Sequence, residues 1–316
     1  MTTTIFFATD LHGSEKCFLK FVNAAKFYKA NTLIMGGDIT GKMIISIIKE
    51  PNGRYHATFV GNKRTAKNEE DLQDLQRAIR FAGYYPYLTN PQEMEQLQTD
   101  DSRVQAIFKE LMLNTVKRWI QLAEERLKES NIRVYITGGN DDIAEIESII
   151  GSSSYVIDPE DKVVELDGKF EMISTGWSNP TPWKTARECP EDQLWAKIEK
   201  MTAQVQNMKN CIFNLHVPPI DSGLDTCPKL DENLKPVLAG GEIVMTSGGS
   251  TSVRKAIETY QPLLGLHGHI HESKGFLKVG RTLCLNPGSE YGEGILRGAL
   301  VELDDGSVKN FLLTQG

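Results

Sequence analysis

The 316-residue chain is poor in histidine, with six, and in cysteine, with five. The cysteines (Cys17, Cys189, Cys211, Cys227 and Cys284) are odd in number, scattered, and include no CxxC pair. That spacing fits reduced thiols in a cytoplasm better than a disulfide framework or a zinc finger. Long apolar runs are missing as well. Met43–Ile48, among the longest, is broken by Ser46 and falls far short of the ~18 residues that a membrane-spanning helix needs. The opening stretch, Met1-Thr-Thr-Thr-Ile-Phe-Phe-Ala, has neither the basic start nor the apolar length of a signal peptide. Nor is there an excess of positive charge: 35 basic and 42 acidic side chains leave a net charge of −7. A general binder of phosphate backbones would show a basic patch or stripe, so no clear nucleic-acid surface is expected. These absences predict a cytoplasmic, acidic, globular protein without a membrane partner. Its oligomeric state leaves no readable signal.

Periodicity supplies the organisation. Thr4–Ala8 reads as a buried strand, Ser14 as the cap of a helix carrying Phe18, Phe21, Val22 and Ala25 on one face, and Thr32–Met35 as a second strand. A strand, helix and strand of these lengths form a βαβ unit, so the sheet begins parallel. Met43–Lys49 and Tyr55–Val60 flank Pro51-Asn52-Gly53 and predict a hairpin, and Lys63–Asn68 reads as a loop. Two helices follow, over Glu69–Ala82 and from about Asp101 to Glu129, separated by Pro86 and Pro91. Ile132–Thr137 returns as a strand. In the C-terminal half, Lys162–Leu166 and Phe170–Ser174 predict a hairpin, and Glu191–Met208 and Thr251–Tyr260 predict helices. Cys211–Leu215 and Leu263–Leu266 predict strands, the Gly-, Pro- and Asp-rich stretch 219–250 a surface loop, and three more strands, the last pair turning at Asp304-Asp305-Gly306, close the chain. The expected class is α/β by composition and α+β by connection, with two packed mixed sheets and helices outside.

Five of the six histidines fall at strand ends: His12, His216, His267, His269 and His271; His56 lies on the predicted hairpin. A single histidine is more often a hydrogen-bonded structural residue than a ligand, but five placed in this way beside Asp10, Asp38 and Asn140 reverse the odds. Asp10 and His12 are two apart, as are His269 and His271, so on extended backbone each pair projects to one side. Imidazole mixed with carboxylate and amide oxygen, without thiolate, suits Mn, Fe, Zn or Co. Seven candidate ligands exceed what one tetrahedral zinc takes and suffice for two ions sharing a carboxylate, the usual arrangement for in-line displacement at phosphorus.

The ordered blocks Asp10-x-His12, Gly37-Asp38, Gly139-Asn140-Asp141-Asp142, His216 and Gly268-His269-x-His271 resemble those of the calcineurin-like metallophosphoesterase superfamily. The resemblance spans most of the chain. It implies a four-layer αββα sandwich and two divalent transition-metal ions. Asp10, His12 and His271 would bind one ion, Asn140, His216 and His269 the other, and Asp38 would bridge them. His216 and Asn140 would also stand by the phosphoryl group. Asn286-Pro287-Gly288-Ser289 resembles the family's C-terminal pattern, though a Pro-Gly turn is itself a sufficient reason for it. His267 either lines the substrate pocket or is structural.

Two departures stand out. Many members carry histidine after the asparagine of the third block; here Asp141 stands there, as a general acid or, alternatively, as an acceptor that orients a ligand. Asp142 reads as an orienting or helix-capping group. The 102 positions from Asp38 to Asn140 exceed the family's usual spacing, which predicts one domain over 1–316 with an insertion at about 42–130, either a packing surface or a substrate-selecting cap. The expected activity is hydrolysis of a small phosphoester, a phosphodiester in particular, through a hydroxide bridging the ions. The rivals are a scaffold that has lost catalysis, or a nuclease.

Overall fold

Residues 2–304 and 306–316 are described in a computed structural model, so Asp305 of the expected final turn lies outside the described residues. The chain opens with β1 (Thr3–Ala8), α1 (Glu15–Phe27) and β2 (Thr32–Met35). Next come β3 (Ile44–Lys49), β4 (Tyr55–Phe59), β5 (Asn62–Ala66), α2 (Glu69–Phe81), β6 (Tyr85–Thr89), α3 (Pro91–Leu97) and the long α4 (Asp101–Leu127). The first half ends with β7 (Arg133–Ile136), α5 (Glu145–Gly151) and β8 (Val156–Ile157). The second half holds β9 (Val163–Glu165), β10 (Glu171–Thr175), α6 (Glu191–Thr202) and β11 (Cys211–Leu215). The region 219–250 carries four short strands in two exposed ribbons: β12 (Thr226–Pro228), β13 (Leu238–Ala239), β14 (Glu242–Ile243) and β15 (Met245–Ser247). Then come α7 (Thr251–Tyr260), β16 (Leu264–Leu266), β17 (Gly275–Val279), β18 (Thr282–Asn286), β19 (Arg297–Asp304) and β20 (Ser307–Gln315). Four strands rather than three therefore close the chain.

Two six-stranded mixed sheets, ordered β20-β19-β1-β2-β7-β8 and β17-β18-β16-β11-β10-β9, pack face to face. Alternation along the strands sorts the side chains. Ile5, Phe7, Ile34 and Tyr135 point inward and meet Met172, Ile212, Leu264 and Leu285 of the other sheet. Phe6, Leu33 and Val134 point outward under α1, α4 and α5, while Phe213 and Leu215 pack under α6 and α7. Both faces of each sheet are covered, which is why these strands read as unbroken apolar runs. Each fully buried large apolar side chain contributes about 1.5–3 kcal/mol. The result is the expected four-layer αββα sandwich. Among the described residues, no helix is long and apolar enough to cross a membrane.

The segment 42–130 differs from the expected hairpin plus two helices. It is a four-stranded sheet, β5-β4-β3-β6, with a core of its own in which Ile47, Tyr55, Ala57 and Ala66 meet Leu72 and Ile79 of α2. Both unforeseen strands are edges. Asn62–Ala66 is polar because four of its five residues face solvent, and charge on an edge deters further pairing. Pro86 is tolerated in β6 because an edge strand need not donate on both sides. The sheet leans on the loop after β2, where the Gly41 N–H donates to the Tyr85 hydroxyl oxygen at 2.7 Å. In the second half, α6 stops at Thr202 instead of reaching Met208.

Candidate metal centre

The ligand candidates sit beyond the carboxyl ends of parallel strands from both sheets: Asp10 and His12 after β1, Asp38 after β2, Asn140 after β7, His216 after β11, and His269 and His271 after β16. Backbone bonds lace the first two loops together, Asp10 N–H to Gly37 O and His12 N–H to Asp38 O, both 2.9 Å. Asp10, His12, Asp38 and His269 all lie in the left-handed region, with φ of 55°, 41°, 50° and 66°. Such conformations cost on the order of 1–3 kcal/mol each and persist only where surrounding contacts enforce them. The motif glycines have a steric reason. A Cβ on Gly139 would collide with the carboxylate and backbone nitrogen of Asp38, and one on Gly268 with the carboxylate of Asp10.

The side chains converge tightly. His12 Nε2 lies 3.0 Å from His271 Nε2 and 3.7 Å from Asp38 Oδ2. His216 Nε2 stands 3.5 Å from Asp38 Oδ2 and 3.8 Å from Asp10 Oδ1, and His271 Nε2 stands 3.4 Å from Asp10 Oδ1. Three overlapping groups could each hold a metal ion: Asp10, His12 and His271; Asp10, Asp38 and His216; His12, Asp38 and Asp141. The His216 Nδ1–H donates to Gly36 O at 2.9 Å, which leaves Nε2 as a lone pair facing the carboxylates, with no hydrogen-bond partner among the described residues. His12 Nδ1 is likewise buried without a hydrogen-bond partner. Orphaned imidazole nitrogens packed against two buried carboxylates fit a divalent cation.

The electrostatics agree. Burial pushes His12 down to about 3 and His269 to about 4, so both rings are neutral donors. Burial also works against a charged His216, but Asp38 and Asp10 outweigh it and lift it to about 9. Burial raises the Asp10 carboxyl, yet His271 and His216 hold it at about 2; His216 and His12 likewise hold Asp38 well below its ordinary range against burial. Left to itself, the cluster draws a proton onto His216, the place a metal cation would take.

The remaining site residues divide. Asn140 Oδ1 is 2.7 Å from His269 Nδ1, and its Nδ2 donates to Thr185 Oγ at 2.8 Å. The His269 N–H donates to both Asp10 oxygens, each at 3.1 Å. Asn140 and His216 are nearly or wholly buried. Asp141 faces the cluster from the rim, 3.9 Å from His12 Nδ1, and is ion-paired at 2.5 Å with Lys42, a residue with no motif to announce it. Tyr291, also unforeseen, lies 4.7 Å centroid to centroid from His12. Asp142 caps no helix. Its Oδ2 accepts from Gly139 N–H (2.7 Å) and Ile39 N–H (2.9 Å), and its Oδ1 from the Thr40 N–H (2.8 Å) and hydroxyl (2.6 Å), tying the loops of Asp38 and Asn140 together. His267 does not line the pocket. It is completely buried, donates from Nδ1 to Leu215 O at 2.8 Å, and turns its ring toward Gly265 and Cys284 within the sheet. The Asn286 amide donates to the carbonyls of Leu224, Gly268 and Ile270, and the Ser289 hydroxyl to Asp10 O at 2.7 Å, so the C-terminal block braces the ligand loops.

No profile of a known protein family matches the chain. The uncharacterized protein MJ1162 of Methanocaldococcus jannaschii is 30% identical over 167 residues, spanning 52% of this chain and 68% of that protein. Among solved structures, TT1561 of Thermus thermophilus matches with a TM-score of 0.54 at 14% identity, over 100% of this chain and 99% of the other, a likeness of fold. A dimetal phosphatase from Danio rerio matches with a TM-score of 0.42 at 8% identity, over 95% of each chain. The chain is thus a relative of MJ1162 with an αββα sandwich fold, and the ordered blocks that resemble those of the calcineurin-like metallophosphoesterase superfamily meet in one Asp/His cluster.

Proposed function

We propose that the protein is a dinuclear-metal phosphoesterase acting on phosphodiesters with a good leaving group. The observation that carries this reading is the convergence of Asp10, His12, Asp38, His216 and His271 from both sheets, with imidazole nitrogens left unpartnered against the carboxylates. Asp10, His12 and His271 would hold one ion and Asn140, His216 and His269 the other, with Asp38 shared between them. Such a pair supplies water activation near neutral pH and neutralises charge on phosphoryl oxygens.

The chain's own residues do the rest. Gly36 O fixes the His216 tautomer, the His269 N–H orients Asp10, and Thr185 fixes the Asn140 amide. Lys42, half-exposed at the rim, offers its ammonium to a non-bridging phosphoryl oxygen. Burial, and then Asp38, raise the Asp141 carboxyl, but its 2.5 Å pairing with Lys42 keeps it an acceptor. No neutral acid therefore stands ready for the departing oxygen, so aryl diesters should outrun alkyl esters.

The test is metal analysis of the purified chain joined to a panel of aryl and alkyl mono- and diesters with each divalent metal. The expected result is about two ions per chain and fastest turnover of aryl diesters, with both metal and activity lost in Asp38→Ala. Retention of metal and turnover by Asp38→Ala refutes the two-metal reading; equal turnover of alkyl monoesters refutes the leaving-group assignment.

A further inference from the structure

Away from the metal cluster, and sharing no residue with it, a cleft of about 410 Å³ opens between α1, α2 and α4. Its walls carry Arg77, Arg80, Arg118 and Arg126 against only two carboxylates, Glu15 and Glu125, in a chain whose net charge is −7. Glu15 is overcommitted. One of its oxygens, Oε2, meets both Arg118 Nη2 at 2.5 Å and Arg80 Nε at 3.2 Å. A guanidinium fork is satisfied by two acceptor oxygens in its plane, and neither arginine has that here. Among the described residues, Arg77 reaches only Asp74, at 3.5 Å on its own helix, and Arg126 only the Asn23 amide oxygen, also at 3.5 Å. Burial and the nearby charges of Arg118 and Arg77 hold Arg80 below its ordinary value in spite of Glu15, in keeping with a crowd of cations short of an anion.

The cleft also has an aromatic lining. Trp119, 3% exposed and stacked on Phe18 with ring centroids 4.4 Å apart, lines it together with Phe81 and Leu122. Among the described residues, the Trp119 indole N–H is buried without a hydrogen-bond partner. The volume lies within the range of small-molecule sites.

We propose that this cleft is a second binding site, for a small molecule that joins a phosphoryl group to an aromatic or apolar body. The phosphoryl oxygens take the forks of Arg77, Arg80 and Arg118 and displace Glu15 from the last two, and the body lies against Trp119 and Phe81. This inference is independent of the phosphoesterase reading.

Calorimetric titration of the full chain with AMP, and separately with inorganic phosphate, tests it, with chelator present so that the metal centre does not contribute. AMP is expected to bind wild type and Asp38→Asn alike, and more tightly than phosphate alone. Doubly substituted Arg77→Gln/Arg118→Gln should weaken AMP by about tenfold or more, while Glu15→Gln should tighten it several-fold by freeing two guanidinium groups. Arg77 and Arg118 are about half exposed, so their replacement leaves the core intact. A merely structural Glu15 would give the opposite sign. The proposal fails if Glu15→Gln weakens binding, if the arginine pair leaves AMP unmoved, or if Asp38→Asn abolishes it. Phosphate binding as tightly as AMP overturns the role given to the aromatic lining.

Discussion

Asp142 and Asp141 are neighbours in sequence with opposite structural duties, and replacing each by asparagine separates them. The Asp142 carboxylate serves four buried donors: Gly139 N–H, Ile39 N–H, and the N–H and hydroxyl of Thr40. An amide keeps one acceptor oxygen. Its least costly orientation leaves that oxygen on Gly139 and Ile39 and turns the NH₂ toward Thr40, whose hydroxyl can rotate to accept. The Thr40 N–H is then orphaned, at about 1–3 kcal/mol, and two charge-assisted bonds become neutral ones, at about 1 kcal/mol each. Against this, burial and then repulsion from Asp38 hold the Asp142 carboxyl above its ordinary value, and removing the charge returns part of that cost. The net expectation for Asp142→Asn is about 2–3 kcal/mol of lost stability and metal affinity lowered about 10–100-fold, because the tie orients the loops of Asp38 and Asn140. Asp141→Asn, at the rim with one partner on a half-exposed lysine, should cost less than about 1 kcal/mol. Urea midpoints at constant m, with metal titrations of both variants, read the difference. An Asp142→Asn protein within about 1 kcal/mol of wild type, or an equal loss in Asp141→Asn, would refute the reasoning.

Two further predictions bear on other parts of the molecule. Burial lifts the Glu160 carboxyl to about 8 in spite of Arg187 and the Thr175 hydroxyl, so the folded chain holds a proton that the unfolded chain releases near pH 4.5. Its contribution is therefore fully present below pH 4.5 and lost as pH rises toward 8; from pH 5 to 8, wild type should lose about 4 kcal/mol relative to Glu160→Gln, and parallel stability curves would contradict this. Gly139→Ala should drive a methyl into the Asp38 carboxylate and lower metal content while the sandwich stays folded, which metal analysis beside circular dichroism would reveal.

How far the sequence foretold the structure depends on whether an element's pattern is set locally. Thr32–Met35, Cys211–Leu215 and Thr251–Tyr260 begin and end where their periodicity says, because each is buried along a full face. The ligand blocks were legible because residue type, spacing and position at strand ends coincide. Edge strands were not: β5 carries polar side chains and β6 a proline, and only their pairing partners make them strands. Lys42 was invisible because its role comes from a tertiary ion pair with a residue 99 positions away. His267 was left open between a pocket-lining and a structural role because lying at a strand end says nothing about which way a ring turns, and here its Nδ1 bond to the carbonyl of Leu215 holds it inward.

His12 and His271 stand 259 positions apart, yet their Nε2 atoms are 3.0 Å from one another, across the seam where the two sheets meet. An ion held by both would fasten the first strand to the far half of the chain, as a disulfide closing nearly the whole length would. Loops of that size close late in folding, since the entropy of bringing such distant ends together must be overcome before any contact rewards it. A chain still emerging from the ribosome thus has no assembled centre until Gly268 and its neighbours have been made and the second sheet has docked. Metal capture would then signal that folding is complete, and stripping a bound metal should loosen the seam between the sheets before it loosens either sheet.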